Sequence, residues 1–95
     1  MSSAQDQLEA YRTSIDNLDA ILVHALAERF KVTQSVGRLK AEYNMPASDK
    51  AREARQIDRL RSLAHQSQLD PEFAEKFLNF IVAEVIQHHE KIRKS

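Results

Sequence analysis

Three cations on one predicted helix are the residues of this chain best suited to chemistry: Arg12, Arg29 and Lys40. Arg29 lies within an apolar heptad pattern that runs from Leu8 to Tyr43. A guanidinium is always charged, and placing it in a packing seam is costly unless an anion meets it there. The pattern therefore predicts a negative group beside Arg29, supplied either by another side chain or by a ligand.

The spacing of the cations indicates which of them can act together. Arg29 and Lys40 are three helical turns plus about 20° apart, so they share one face at a separation of about 16 Å. The side chains of Arg29 and Lys40 are long enough that both could contact one small anion. Arg12 lies about 42 Å along the axis from Lys40 and cannot reach the same ligand within one chain. In an antiparallel dimer, Arg12 of one chain can approach the Arg29–Lys40 region of the other.

A second polar group is predicted at the start of the next helix. Asp49, Arg52 and Glu53 follow the i, i+3, i+4 spacing that places side chains on one helix face. Cations for carboxylates, together with acceptors for a hydroxyl, would suit a small hydroxylated dicarboxylate. Local roles are the alternative: Asp49 caps the helix, and Glu53 pairs with Lys50 or a neighbouring arginine.

Arg29 also has a local alternative, because Glu28 or an acidic residue of another helix could neutralise it.

A metal site is not predicted. Glu84 and His88 are four residues apart on a predicted helix, but no third ligand follows at a recognised spacing.

The elements that position these residues are predicted to be three helices, so the fold class is all-α. One glycine and two prolines are far too few turn residues for a sheet protein. The first predicted helix runs from about Gln5 to Tyr43. The second begins at a cap, Ser48 or Asp49, and ends near His65. The third begins at Pro71, with Asp70 as its cap, and extends to about Ile92. The stripe of Phe73, Phe77 and Phe80 on the third helix is predicted to be core.

Composition excludes several classes of function. Fourteen basic residues balance fourteen acidic ones, which argues against non-specific nucleic-acid binding. No apolar run approaches the roughly 20 residues that span a bilayer, and the first residues do not resemble a signal peptide. The absence of cysteine excludes disulfides and a thiolate nucleophile. These features predict a single cytoplasmic domain over residues 1–95.

The length of the first helix predicts a dimer. Thirty-nine helical residues make a rod of about 58 Å, whereas a globule of this size has a radius of gyration of about 12 to 13 Å. The two shorter helices cannot cover both ends of that rod. A second copy alongside would cover it, so we expect an intertwined homodimer.

Five segments of the chain carry a resemblance to the all-α chorismate mutases of bacteria. The segments that match are Arg12 with Ile15-Asp16-x-Leu18-Asp19, Leu26-Ala27-Glu28-Arg29, Val36-Gly37-x-x-Lys40, Pro46, and Asp49-x-x-Arg52-Glu53. The likeness extends over essentially the whole chain without a gap. No single segment is decisive, but the joint spacing is specific.

The resemblance implies rearrangement of chorismate to prephenate, in the pathway to phenylalanine and tyrosine. It implies an intertwined dimer of three-helix chains, with two sites that are each built from both chains and need no cofactor or metal. Arg29 and Arg12 of the partner subunit would bind the substrate carboxylates. Lys40 would donate to the ether oxygen of the breaking bond.

The same resemblance assigns the remaining site residues. Asp49 and Glu53 would hold the region of the ring hydroxyl, and Arg52 would add positive charge. Val85 and His89 occupy positions where the family often has a serine and commonly a glutamine. A neutral imidazole can donate one hydrogen bond, as the glutamine amide would. A shift in the register of the third helix would instead bring Gln87 or His88 to the site.

Two other functions stay open from the sequence. An isochorismate-pyruvate lyase shares this fold and the cations of the first helix, although the Asp49-x-x-Arg52-Glu53 group favours the mutase. A non-catalytic dimerisation or regulatory module is the other alternative. It stays open because Val85 and His89 differ from the residues that the family has at these positions. Activation by a partner enzyme of the same pathway is compatible with the sequence.

Overall fold

The fold consists of three α-helices. A computed structural model describes residues 3–94, with α1 at Ala4–Glu42, α2 at Lys50–Gln66 and α3 at Pro71–Lys94, and no strand occurs in that range. The predicted all-α class and the three helices are confirmed. None of the helices within residues 3–94 is both long and apolar enough to cross a bilayer.

The described chain divides into two compact units, one ending at Val32 and the other beginning at Thr33. The first unit is the N-terminal part of α1. There the Ser3 Oγ accepts from the Asp6 N–H at 3.0 Å, which satisfies one of the free amides at the start of the helix. The apolar positions of its heptad are exposed in the single chain: Leu8, Tyr11, Ile15, Leu18, Leu22 and Val32.

The core of the second unit lies between α2 and α3, which pack against each other. Its buried apolar residues are Ala64, Ala74, Leu78 and Ile81. Beside this core, Arg61 Nη1 lies 3.1 Å from Glu75 Oε1, which joins the two helices at their half-exposed edge.

The phenylalanine stripe departs from its prediction as core. Phe73, Phe77 and Phe80 are 56%, 41% and 74% exposed. The rings of Phe73 and Phe77 stack with centroids 6.3 Å apart and line an apolar cavity of 260 Å³ with Leu60, Leu63 and Leu69. Periodicity identified the apolar face correctly, but this face is not covered within the single chain.

The end of α1 folds back through a left-handed residue. Asn44 has a φ of 55°, and the Met45 N–H donates to the Lys40 carbonyl at 2.7 Å. This is the Schellman arrangement, and asparagine tolerates the left-handed conformation better than most residues. The reversal brings the following loop back toward the last turn of α1, which carries Lys40.

The turn between α2 and α3 uses the same arrangement with a less suitable residue. Gln68 has a φ of 59°, and the Leu69 N–H donates to the Ala64 carbonyl at 2.8 Å. After this turn, Asp70 Oδ1 accepts from the Glu72 N–H at 3.0 Å and Pro71 begins α3, as the sequence predicted.

Replacing Gln68 by glycine is expected to stabilise the fold. A left-handed conformation costs a non-glycine residue about 1–2 kcal/mol, whereas glycine loses about 0.5–1 kcal/mol through its unfolded-state entropy. Gln68→Gly should therefore raise the free energy of unfolding by roughly 0.5–1 kcal/mol in urea titrations at fixed chain concentration. The matched control is Gln56→Gly inside α2, which should destabilise by about 1 kcal/mol. Equal destabilisation by both variants would contradict the expectation.

Candidate active site

Lys40 lies in the last turn of α1 and is half-buried. Its Nζ donates to the carbonyl of Ala47 at 3.4 Å, across the loop that follows α1. A neutral carbonyl at this distance is a weak partner for an ammonium group. The Lys40 charge is therefore held near the loop without being neutralised by it.

His89 lies on α3 and is only 4% exposed. Its Nε2 lies 2.9 Å from the Thr33 carbonyl oxygen of α1, and its Nδ1 lies 3.4 Å from the Ala47 carbonyl oxygen. Gly37 makes this position possible: a Cβ built there would be 2.6 Å from His89 Cδ2 and 3.0 Å from Ile92 Cδ1. Only a residue without a side chain allows the imidazole to lie this close to α1.

Asp49 is the N-cap of α2. Its φ of −135° is extended, and its Oδ1 accepts from the backbone N–H of Arg52 at 3.0 Å. The capping role that the sequence left open is therefore present. A carboxylate can accept several hydrogen bonds, so capping leaves further acceptor capacity on the exposed Asp49 side chain. The Arg52 side chain is exposed beside it.

Glu53 is the most buried carboxylate of this polar group, with its side chain 18% exposed. Its Oε2 lies 3.5 Å from the Nζ of Lys50, the ion pair that the sequence offered as a local role. Glu53 also lines a cleft of 220 Å³ between α2 and α3, together with Asn79, Val82 and Ile86. The Glu53 side chain therefore borders a space larger than a water molecule.

The other two predicted cations belong to the first unit. Arg12 Nη1 forms an ion pair with Glu9 at 3.1 Å, and both side chains are 59% exposed. Arg29 is half-buried, and its Nη1 is buried with no hydrogen-bond partner among residues 3–94. Glu28 does not neutralise it, because Glu28 pairs with Lys31 at 2.9 Å. A buried guanidinium N–H without an acceptor suits an anionic ligand.

Within the second unit, Lys40 and His89 come together at one atom, the Ala47 carbonyl oxygen. Asp49 follows Ala47 by two residues, and Val85 lies half-buried one turn before His89 on α3. The cleft beside Glu53 is not lined by Val85 or His89. Among residues 3–94, no cluster of three or more histidine or acidic side chains is placed to bind a metal ion. The Oε2 of Glu84 lies 3.9 Å from the Nε2 of His88.

Sequence reasoning missed the role of backbone carbonyls. The Ala47 carbonyl accepts from Lys40 Nζ and lies 3.4 Å from His89 Nδ1, and the Arg93 guanidinium donates to the carbonyl of Met45. Every residue has a carbonyl, so no residue type marks one that is used in this way. The only available signal was Gly37, a helical glycine that indicates close packing.

A protein-family model described as "Chorismate mutase type II" matches residues 11–90. This chain belongs to the type II chorismate mutase family. The matched range includes every candidate residue from Arg12 to His89. The resemblance seen in the sequence is therefore confirmed at the level of the family.

Relatives of the chain carry the family's name. The chain is 26% identical over 89 residues to "Chorismate mutase" of Methanocaldococcus jannaschii, covering 94% of this chain and 86% of that protein. It is 25% identical over 89 residues to "Bifunctional chorismate mutase/prephenate dehydratase" of Buchnera aphidicola subsp. Schizaphis graminum, and 28% identical over 91 residues to the protein of that name from subsp. Acyrthosiphon pisum. It spans only 23% and 24% of those two bifunctional proteins.

The contribution of the Asp49 cap to folding can be measured by substitution. Asp49→Ala removes the cap and is expected to lower the free energy of unfolding by about 1 kcal/mol, whereas Asp49→Asn keeps a cap and should stay within about 0.5 kcal/mol of the parent. Chemical denaturation at fixed chain concentration measures both variants. An Asp49→Ala protein as stable as the parent would show that the cap contributes nothing to folding.

Proposed function

We propose that this chain catalyses the [3,3] rearrangement of chorismate to prephenate, in the biosynthesis of phenylalanine and tyrosine. The observation that carries the proposal is the family match over residues 11–90, which includes every polar position of the candidate site. The relative named "Chorismate mutase", which this chain covers over 86% of its length, supports it.

The chemistry of this rearrangement asks for positioning and fixed charge. One molecule rearranges within itself, so the reaction requires no nucleophile, metal or redox cofactor. The barrier falls when the reactive folded conformer is held with both ends of the new bond in near-attack geometry. It falls further when a fixed cation faces the negative charge that develops on the ether oxygen.

Binding of the two carboxylates is assigned to Arg29 and to Arg12 of the partner subunit. The buried, unsatisfied Nη1 of Arg29 supports its role, because a carboxylate supplies the acceptor that this nitrogen lacks. The exposed ion pair of Arg12 with Glu9 is weak, so it can be exchanged for a substrate carboxylate at low cost.

Stabilisation of the breaking bond is assigned to Lys40. Its present acceptor is a neutral carbonyl at 3.4 Å, which the ether oxygen of the substrate can replace. Because charge develops on that oxygen only as the bond breaks, Lys40 binds the transition state more strongly than the substrate. Lys40 therefore raises kcat.

The hydroxyl-bearing side of the ring is assigned to Asp49 and Glu53, with Arg52 adding positive charge. The remaining acceptor capacity of Asp49 and the low exposure of Glu53 support these roles. Val85 is assigned to an apolar wall on the α3 side of the site, and His89 lies buried beside the loop that leads to Asp49. In this proposal the substrate is chorismate. The predicted location of the protein is the cytoplasm.

An intertwined homodimer is part of the proposal. The apolar stripe of α1 and the phenylalanine stripe of α3 are both exposed in the single chain. A helix of this length is stabilised mainly by burying its apolar face. A second copy covers both stripes with the same sequence, and it supplies the Arg12 that one chain cannot bring to its own site.

Removing the Lys40 amine is expected to abolish most of the activity. Lys40→Ala should lower kcat for prephenate formation by about 10²–10³-fold, the usual effect of losing one group that stabilises a developing oxyanion. The measurement follows chorismate loss and prephenate formation by the purified protein. The control is Lys76→Ala, an exposed lysine of α3, which should leave kcat unchanged.

Failure of the parent protein to form prephenate would contradict the proposed activity. Isochorismate, with detection of pyruvate, is then the second substrate. Pyruvate release would identify the lyase, and inactivity on both substrates would favour a non-catalytic dimerisation module.

Mixing inactive variants tests the sharing of sites between chains. Arg12→Ala and Lys40→Ala proteins, refolded together, form heterodimers in which one site has both Arg12 and Lys40. Random pairing should restore about a quarter of the parent activity. Arg29→Ala mixed with Lys40→Ala is the control and should restore none, because both residues of a site come from one chain. Recovery in neither mixture would contradict shared sites.

A further inference from the structure

Both ring nitrogens of His89 face backbone oxygens of different segments. Nε2 lies 2.9 Å from the Thr33 oxygen, within α1, and Nδ1 lies 3.4 Å from the Ala47 oxygen, in the loop before α2. A neutral imidazole has one N–H, so whichever nitrogen carries the hydrogen, a carbonyl of the protein uses it. The ring is also 4% exposed. A substrate therefore finds neither an open face nor a spare donor on this side chain.

We propose that His89 is a positioning residue: its ring packs between α1 and the loop at residues 45–49, donates to one of the two carbonyls and contacts the other, and so sets where Lys40 and Asp49 lie. The proposal rests on the proposed chorismate mutase function for its catalytic consequence. It assigns to His89 a role different from direct donation to the ether oxygen, which the family resemblance implied for this position. Lys40 is then the donor to the ether oxygen from this part of the site.

The carbonyl of Ala47 connects His89 to the catalytic groups. The same oxygen that His89 approaches at 3.4 Å accepts from Lys40 Nζ at 3.4 Å. Two residues later, Asp49 caps α2 through the Arg52 N–H. A displacement of Ala47 therefore moves the acceptor of Lys40 and the cap of α2 together.

Gly37 is the second member of this arrangement. A methyl group there would lie 2.6 Å from His89 Cδ2 and 3.2 Å from His89 Nε2, so the ring would have to leave its place beside α1. Gly37 contributes no polar side chain to any site. Gly37→Ala therefore displaces the imidazole without removing a group that could touch substrate.

The test combines four variants with two measurements. The variants are His89→Ala, His89→Gln, Gly37→Ala and the double variant that combines His89→Ala with Gly37→Ala. The control is His65→Ala, which changes an exposed histidine of α2. Circular dichroism first establishes that each variant is folded, and His89→Gln keeps most of the side-chain volume. The first measurement is amide hydrogen exchange of the peptide over residues 43–49, with no substrate present.

We expect exchange in this peptide to rise about tenfold in His89→Ala, His89→Gln and Gly37→Ala, and to stay unchanged in His65→Ala. Unchanged exchange in the three folded variants would overturn the proposal. This readout is independent of catalysis, so it decides the role of His89 even if the parent protein forms no prephenate.

The second measurement is the change in kcat and KM for chorismate. Loss of positioning should lower kcat and raise KM in all three single variants, to within about threefold of one another. The double variant should be no worse than His89→Ala, because the contacts of the methyl group with the ring are then gone and the remaining contact, Ile92 Cδ1 at 3.0 Å, is the end of a flexible side chain. A direct donor would behave differently: His89→Gln would keep the parent kcat while His89→Ala lost it, and that result would overturn the proposal.

Discussion

The apolar stripe of α1 is the constraint on which the rest of this protein depends. The helix has 39 residues, and the apolar positions of its first unit are exposed in the single chain. Such a helix is stabilised chiefly by burying its apolar face, so this surface needs a cover. The same helix carries Arg12, Arg29 and Lys40. In the proposed homodimer, covering the stripe and bringing cations to the substrate are therefore one structural event.

The Ala47 carbonyl is a comparable junction inside the second unit. Lys40 of α1 and His89 of α3 both approach it, and the loop that carries it leads directly to the cap of α2 at Asp49. Three helices thus meet through contacts to one short segment. The segment takes its course from the left-handed Asn44, which turns the chain back after α1. A residue suited to that conformation therefore determines where the acceptor of Lys40 lies.

The sequence was sufficient for the helices because their ends carry local signals, such as Asp70-Pro71 at the start of α3. It also predicted an anion beside Arg29; the Nη1 of Arg29 is buried without a hydrogen-bond partner among residues 3–94, and the anion itself stays a prediction. It failed for the phenylalanine stripe, since periodicity defines an apolar face without defining which chain covers it. It could not foresee the surroundings of His89, because its partners are carbonyls and a glycine, which have no distinctive side chain.

A positioning role for a buried histidine fits the physics of a unimolecular rearrangement. Fixed charge acts through distance: at an effective dielectric constant near 20, two unit charges gain about 4.2 kcal/mol at 4 Å and about 3.3 kcal/mol at 5 Å. Moving the Lys40 charge by about 1 Å therefore costs about 0.8 kcal/mol, or about fourfold in rate. Positional errors in Asp49 add to this loss. A side chain that never touches the substrate can thus affect the rate through the segment it holds.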